Sequence, residues 1–122
     1  MTGDSLADKE FAAIAGAAAE GALFTFGPDP RKRPTAAAAV KKFMDRNIDP
    51  EGFTLYAYAA VQVWAQAAAK AGTMEPRKVA AALRGGRWDT VLGKIAYTAK
   101  GDITVLDYVI YKWDRSGHYL EM

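Results

Sequence analysis

Ser5 is the first residue in this chain that could do chemistry. In Gly3-Asp4-Ser5-Leu6 a serine follows a carboxylate close to a predicted helix start. A serine hydroxyl becomes a nucleophile when a histidine within hydrogen-bond reach takes its proton, a carboxylate orients that histidine, and donors await the oxyanion. The chain has a single histidine, His118, four residues after Asp114 on a predicted turn and strand. The same position suits an ordinary surface hairpin residue, and a serine beside a helix start is most simply a cap. Asp4, Asp8 and Glu20 offer carboxylates without a histidine at ligand spacing, so no metal is expected. Gly85-Gly86 reads as a helix stop, because no strand, glycine-rich loop and helix unit surrounds it to cradle a phosphate. The six tyrosines and three tryptophans fall mostly at core positions and form no exposed stacking series in a basic groove.

The elements that must position these residues follow from spacing. Ser5 and Asp8 resemble a capping box, Gly21 is a helix stop, and Phe11, Ile14, Ala15 and Ala18 recur between them, so a helix is predicted over 6–20. A short apolar strand is predicted over 22–26, broken by Gly27-Pro28-Asp29-Pro30. Thr35 is expected to cap a helix over 35–47 whose Val40, Phe43 and Met44 share a face. After the turn Asp49-Pro50-Glu51-Gly52, the stretch 53–71 is nearly apolar all round and is expected to be buried on most sides, with Gly72 as its stop. Thr73 and Pro76 start a short helix that ends at Gly85-Gly86. From Asp89 the period becomes two: Val91, Ile95 and Tyr97, then Val109, Tyr111 and Trp113, alternate as strands do. Asp114-Arg115-Ser116-Gly117 is a hairpin turn into a last strand over 118–122. This is a helix-rich α/β chain with C-terminal strands and a hairpin, and it lacks the regular βαβ alternation of a complete doubly wound domain.

Composition bounds the rest. The 122 residues are 51% hydrophobic and 25% charged, which places the chain in the soluble globular class with a modest core rich in alanine. The net charge of +2 is too small to imply a nucleic-acid partner, and Arg31-Lys32-Arg33 reads as a solvated face. With no cysteine, disulfides and thiolate metal sites are excluded. No apolar run of about 18 residues predicts a membrane span. The first residues also lack the basic-then-apolar pattern of a secretory leader.

Two resemblances can be weighed. Gly3 to Leu6 spells the signature of the GDSL-type serine esterases. That family places its aspartate three residues before the histidine and carries glycine and asparagine oxyanion blocks. Here the one asparagine is Asn47, at a predicted helix end, so this is the distant alternative. The second resemblance runs the whole length. Thr2-Gly3-Asp4-Ser5-Leu6-Ala7-Asp8-Lys9 and Ile14-Ala15-Gly16-Ala17-Ala18-Ala19-Glu20-Gly21 are followed by Tyr58-Ala59-Ala60-Val61-Gln62. Gly93-Lys94-Ile95, Lys100-Gly101-Asp102 and Tyr111-Lys112-Trp113 complete the series. Together they resemble the last third of a periplasmic leucine/isoleucine/valine-type solute-binding protein of an ABC importer.

That resemblance implies a non-enzymatic receptor without cofactor. It would be part of a type I periplasmic binding protein, whose two Rossmann-like lobes close on a small molecule and deliver it to an ABC permease. Residues 1–27 and 106–122 would belong to one lobe and 28–105 to the other, with hinge passages near 24–28 and 102–107. A truncated piece of a longer periplasmic protein would explain the missing leader pattern, and its uncovered edges would favour self-association. Asp4 would pair with the ligand's α-ammonium, its alternative being a local helix-start anion. Phe53 would lie against the ligand's aliphatic side chain, its alternative being core packing at a helix start. A branched-chain amino acid is the expected ligand, with aromatic acids or amides as the alternative within the same receptor class. Asp4 disfavours a purely anionic ligand by repulsion.

Overall fold

The computed structural model of the protein describes residues 1–105 and 107–122. A 3-10 turn at Asp4–Leu6 precedes α1 (Lys9–Ala15) and a second 3-10 turn, Gly16–Ala19. Then come β1 (Leu23–Phe26), α2 (Ala37–Met44), α3 (Thr54–Ala71), α4 (Pro76–Arg84), β2 (Arg87–Thr90), β3 (Gly93–Ala96), β4 (Val109–Trp113) and β5 (Tyr119–Glu121). The chain divides into two compact units, one of Met1–Asp29 with Asp107–Met122 and one of Pro30–Leu106. The passage expected at 102–107 includes residue 106, which lies outside the described residues.

The first unit is built on an antiparallel sheet in the order β1-β4-β5. Alternation decides its buried face: Phe24 and Phe26 on β1 and Tyr111 and Trp113 on β4 turn inward. Register sets Phe24 opposite Tyr111, with ring centroids 5.4 Å apart and nearly parallel. Tyr119 of β5 meets both Phe24 and Trp113 edge-on, and Phe11 of α1 lies 5.6 Å from Trp113. Aromatic pairs at such offsets add to the area they bury, so this small sheet gets its core from rings. Tyr111 also donates its hydroxyl hydrogen to the Gly27 carbonyl at 3.1 Å.

The helix expected over 6–20 is three pieces. Asp8, not Ser5, is the cap, its carboxylate accepting from the Glu10 amide at 2.9 Å. Gly16, at φ 54°, ends α1 five residues before the expected stop. Ile14, within α1 and three residues after Phe11, is 85% exposed.

In the second unit, α3 buries Leu55, Ala59, Val63 and Ala67, one stripe at four-residue spacing, against α4 and β2. Val79 of α4, Trp88 of β2 and Ile95 of β3 complete this core, with Ala36 and Ala39 from the α2 side. The expectation that α3 is buried on most sides is corrected: Val61 is 65% exposed and Trp64 47%. Gly72 in the left-handed conformation (φ 65°) ends the helix where expected.

Three further local expectations change. Thr35 does not cap α2; its hydroxyl donates to the Val91 carbonyl at 2.8 Å, and α2 follows a 3-10 turn, Pro34–Ala36. The cap of α4 is Glu75, whose carboxylate accepts from the Arg77 and Lys78 amides, while Thr73 accepts from the Glu75 amide. Val91 is no strand residue. It occupies, with Leu92, the two-residue tip between the paired Thr90 and Gly93. That tip is clamped from afar: Gln62 of α3 accepts from the Val91 amide at 2.9 Å, and Arg33 donates to the Leu92 carbonyl at 2.9 Å.

Candidate ligand-binding residues

Asp4 begins a 3-10 turn held by a hydrogen bond from the Ala7 amide to its carbonyl at 2.9 Å. Two residues earlier, Thr2 forms a parallel bridge beside Phe24, donating to the Leu23 carbonyl and accepting from the Thr25 amide. Because that bridge is parallel, the chain leaves toward the carboxyl end of β1 as it reaches Asp4. Small ligands of open α/β sheets bind outside the carboxyl ends of parallel strands. The Asp4 side chain is exposed.

Phe53 belongs to the second unit. It is the residue from which α3 springs, its carbonyl accepting from the Ala57 amide at 2.9 Å. It is half-exposed, at 46%. The two candidates thus stand on different units, Asp4 on the first and Phe53 on the second.

The hydrogen bonds around His118 involve Ser116 and Asp114. His118 Nδ1 is 2.9 Å from the Ser116 hydroxyl, and that hydroxyl lies 2.7 Å from Asp114 Oδ1. A working triad has the imidazole between nucleophile and carboxylate. Here the serine sits between the other two, and all three lie in one exposed turn. Asp114 Oδ1 also accepts from the Ser116 and His118 amides, which makes the group a side-chain-capped turn. Among the described residues Ser5 has no hydrogen bond to His118 and no cluster of three metal-ligating side chains occurs. No described helix is long and apolar enough to cross a membrane.

The polar side chains that sequence reasoning missed are structural. Gln62 and Gln66 interrupt an otherwise apolar helix four residues apart, and Gln66 donates to the Asp89 carbonyl at 2.9 Å while Gln62 holds Val91. Their spacing on a largely apolar helix was the available signal, since a half-buried amide takes partners where the fold offers them.

Asp4 and Phe53 are the two positions at which a ligand contact is expected, and both are at least half-exposed. The sequence matches the periplasmic binding protein family over residues 1–118. Leu/Ile/Val-binding protein homolog 1 of Brucella suis is 51% identical over 116 residues, 94% of this chain and 31% of that protein. A leucine binding protein of Thermotoga maritima superposes with a TM-score of 0.83 at 26% identity, covering 98% of this chain and 35% of that one. An ABC transporter substrate-binding protein of Desulfitobacterium hafniense in complex with Leu gives 0.71 at 25%, covering 98% and 34%. The chain belongs to the periplasmic binding protein family, and its architecture matches a stretch of the type I fold. It spans about a third of the length of the curated relatives it matches.

Proposed function

We propose that this chain is part of the periplasmic solute-binding receptor of an ABC importer, which takes a branched-chain amino acid between two lobes and hands it to a permease. The observation that carries the reading is the 51% identity to a Leu/Ile/Val-binding protein homolog across 94% of the chain. The first unit would belong to one lobe and the second to the other, supported by the way the chain leaves the first unit after Asp29 and re-enters it at Asp107. Two lobes that each contact the ligand stabilise a closed state by hinge motion. No residue here is assigned a catalytic role.

In this reading Asp4 pairs with the α-ammonium and Phe53 covers the aliphatic side chain. Support for Asp4 comes from the parallel bridge at Thr2, after which the chain runs toward the carboxyl end of β1, and from the exposure of its side chain. An ammonium held by a carboxylate in a cleft closed to water gains strength from charge-assisted hydrogen bonding. Phe53 is a half-exposed aromatic at a helix start, a suitable apolar wall for leucine.

Calorimetric titration of leucine into a receptor-length protein carrying this sequence tests the proposal. Saturable binding is expected, with Asp4→Ala weakening it roughly 100-fold, a cost of about 3 kcal/mol for a lost charged hydrogen bond. Phe53→Ala should weaken it about tenfold through lost apolar contact. Absence of leucine binding would end the ligand assignment and turn the search to aromatic acids and amides. Full binding by Asp4→Ala would return Asp4 to a helix-start anion.

A further inference from the structure

The turn between β4 and β5 holds the one histidine of the sequence, and the hydrogen bonds around it fix where its proton sits. The Ser116 hydroxyl lies 2.7 Å from Asp114 Oδ1 and 2.9 Å from His118 Nδ1. Asp114 is ionised at neutral pH, its carboxyl being held below the ordinary 3.8. A hydroxyl carries one hydrogen, and an ionised carboxylate only accepts. Two oxygens 2.7 Å apart with no hydrogen between them repel, so the Ser116 hydrogen points at Asp114. What Ser116 has left for the imidazole is a lone pair, and Nδ1 must therefore donate to it. A neutral ring in this turn is thus the Nδ1–H tautomer, with Nε2 bare. That runs against the preference of a free neutral histidine side chain, which favours Nε2–H. Which ring nitrogen carries the proton is decided by hydrogen bonding of this kind.

The backbone of the turn is held separately. Asp114 Oδ1 accepts from the Ser116 and His118 amides at 2.8 and 3.0 Å, and the Asp114 amide donates to the His118 carbonyl at 2.7 Å. An imidazolium is protonated at both nitrogens, so it makes the same donation from Nδ1 as the neutral ring. We propose that the turn is a latch of fixed hydrogen-bond direction, from His118 through Ser116 to Asp114. It stays closed in both charge states of the ring, while Nε2 takes up and releases the proton. The exposed side chain then offers an acceptor when neutral and a charged donor when protonated, a reversal of polarity on a turn that keeps its shape. Charged groups stand on the elements around it. The hairpin carries Lys112, Asp114, Arg115 and Glu121. Helix α1, whose Ala12 Cβ is 3.6 Å from where a Cβ on Gly117 would stand, carries Lys9 and Glu10 after its cap Asp8. Glu20 precedes Gly21 and Ala22, which bond to the Trp113 backbone. Asp114 is the group that closes the latch, and protonating it removes the charge on which the direction rests. The inference stands on the turn alone and is independent of the receptor reading.

Because the sequence has one histidine, nitrogen NMR of the isotope-labelled chain reads this ring without overlap. In alkaline buffer the Nδ1–H form should outnumber Nε2–H several-fold, the ratio that one net hydrogen bond supplies. Ser116→Ala takes away the acceptor and should return the ring to an Nε2–H majority. The two amide bonds to Asp114 Oδ1 keep the turn in place in that variant, and unshifted β4 backbone resonances check that it has folded. Asp114→Ala frees the Ser116 hydroxyl to donate to Nδ1 and should give the same reversal. In the native chain, protection of the Asp114 amide against hydrogen exchange should be equal on both sides of the ring's titration and fall only in stronger acid. An Nε2–H majority in the native chain, or a ratio that Ser116→Ala leaves unchanged, would overturn the proposal. So would loss of Asp114 amide protection as the ring gives up its charge, since the latch would then depend on the imidazolium. Leucine binding plays no part in these measurements, so the receptor reading stands or falls separately.

Discussion

Asp114, half-buried at the β4–β5 turn, accepts three hydrogen bonds through Oδ1, from the Ser116 hydroxyl and from the Ser116 and His118 amides. The Ser116 hydroxyl, then the His118 amide, hold its carboxyl below the ordinary value of 3.8. A carboxylate with a depressed folded value contributes stability that is fully present above its unfolded value and is lost as pH falls through the folded one. The turn should therefore be intact at pH above 3.8 and loosen only in stronger acid. Amide shifts of Ser116 and His118 followed by NMR will show this, and Asp114→Ala should remove the acid transition. Gly86 gives a second residue-scale prediction. A Cβ there would fall 2.0 Å from the Trp88 indole, a buried ring whose Nε1 donates to the Leu83 carbonyl. Gly86→Ala should cost about 3 kcal/mol by forcing the ring aside, whereas Gly85→Ala should be nearly neutral. For Gly85 the nearest atom is the Ala81 carbonyl oxygen at 3.8 Å. Denaturant melts of the two variants separate steric overlap from a general glycine effect.

At the scale of elements, α3 shows why composition is not burial. Its apolar content is high all round, yet Leu55 is fully buried and Val61 is 65% exposed. Leu55→Ala should destabilise by about 2–5 kcal/mol through lost burial and the cavity left behind. Val61→Ala should change the stability of this chain by less than about 0.5 kcal/mol, since an exposed side chain has little to lose. Chemical denaturation of the pair checks the ranking; equal losses would mean that the outer face is already covered in this chain. The β2–β3 hairpin makes a complementary case. Its tip is held by Thr35, Arg33 and Gln62, side chains from other elements, because a two-stranded ribbon by itself is only marginally stable.

At the scale of the whole molecule, the aromatic cluster around Phe24 and Trp113 and the aliphatic cluster around Leu55 and Trp88 share no member. Cooperative units with separate cores open separately. Phe24→Ala should raise hydrogen exchange in β1, β4 and β5 and leave the amides of α3 as protected as before; a uniform rise would refute separate cores. The overall charge of +2 also conceals a division. The second unit has thirteen Lys and Arg against six Asp and Glu, and the first has three against eight, giving +7 and −5. A small sum therefore does not mean a small local field, which matters for how each unit meets charged partners.

The sequence by itself determined what depends on neighbours along the chain. The apolar run over 22–26 and the Val109/Tyr111/Trp113 alternation identified strands, Asp114 to Gly117 identified the turn, and Gly72 identified a helix end, because each is a local conformational preference. The run of family motifs is legible along the chain as a resemblance, and the chain belongs to the periplasmic binding protein family. Only the tertiary structure decided which stripe of α3 is buried, since periodicity counts apolar residues and cannot say how many faces find a partner. It alone revealed that Asp8 displaces Ser5 as cap and that Gly16 breaks the first helix, a choice between equally plausible local signals. It also reassigned Thr35 from a helix cap to the Val91 carbonyl, a partner 56 residues away. Such a hydrogen bond is set by packing, because a hydroxyl takes whichever acceptor the folded chain brings within reach.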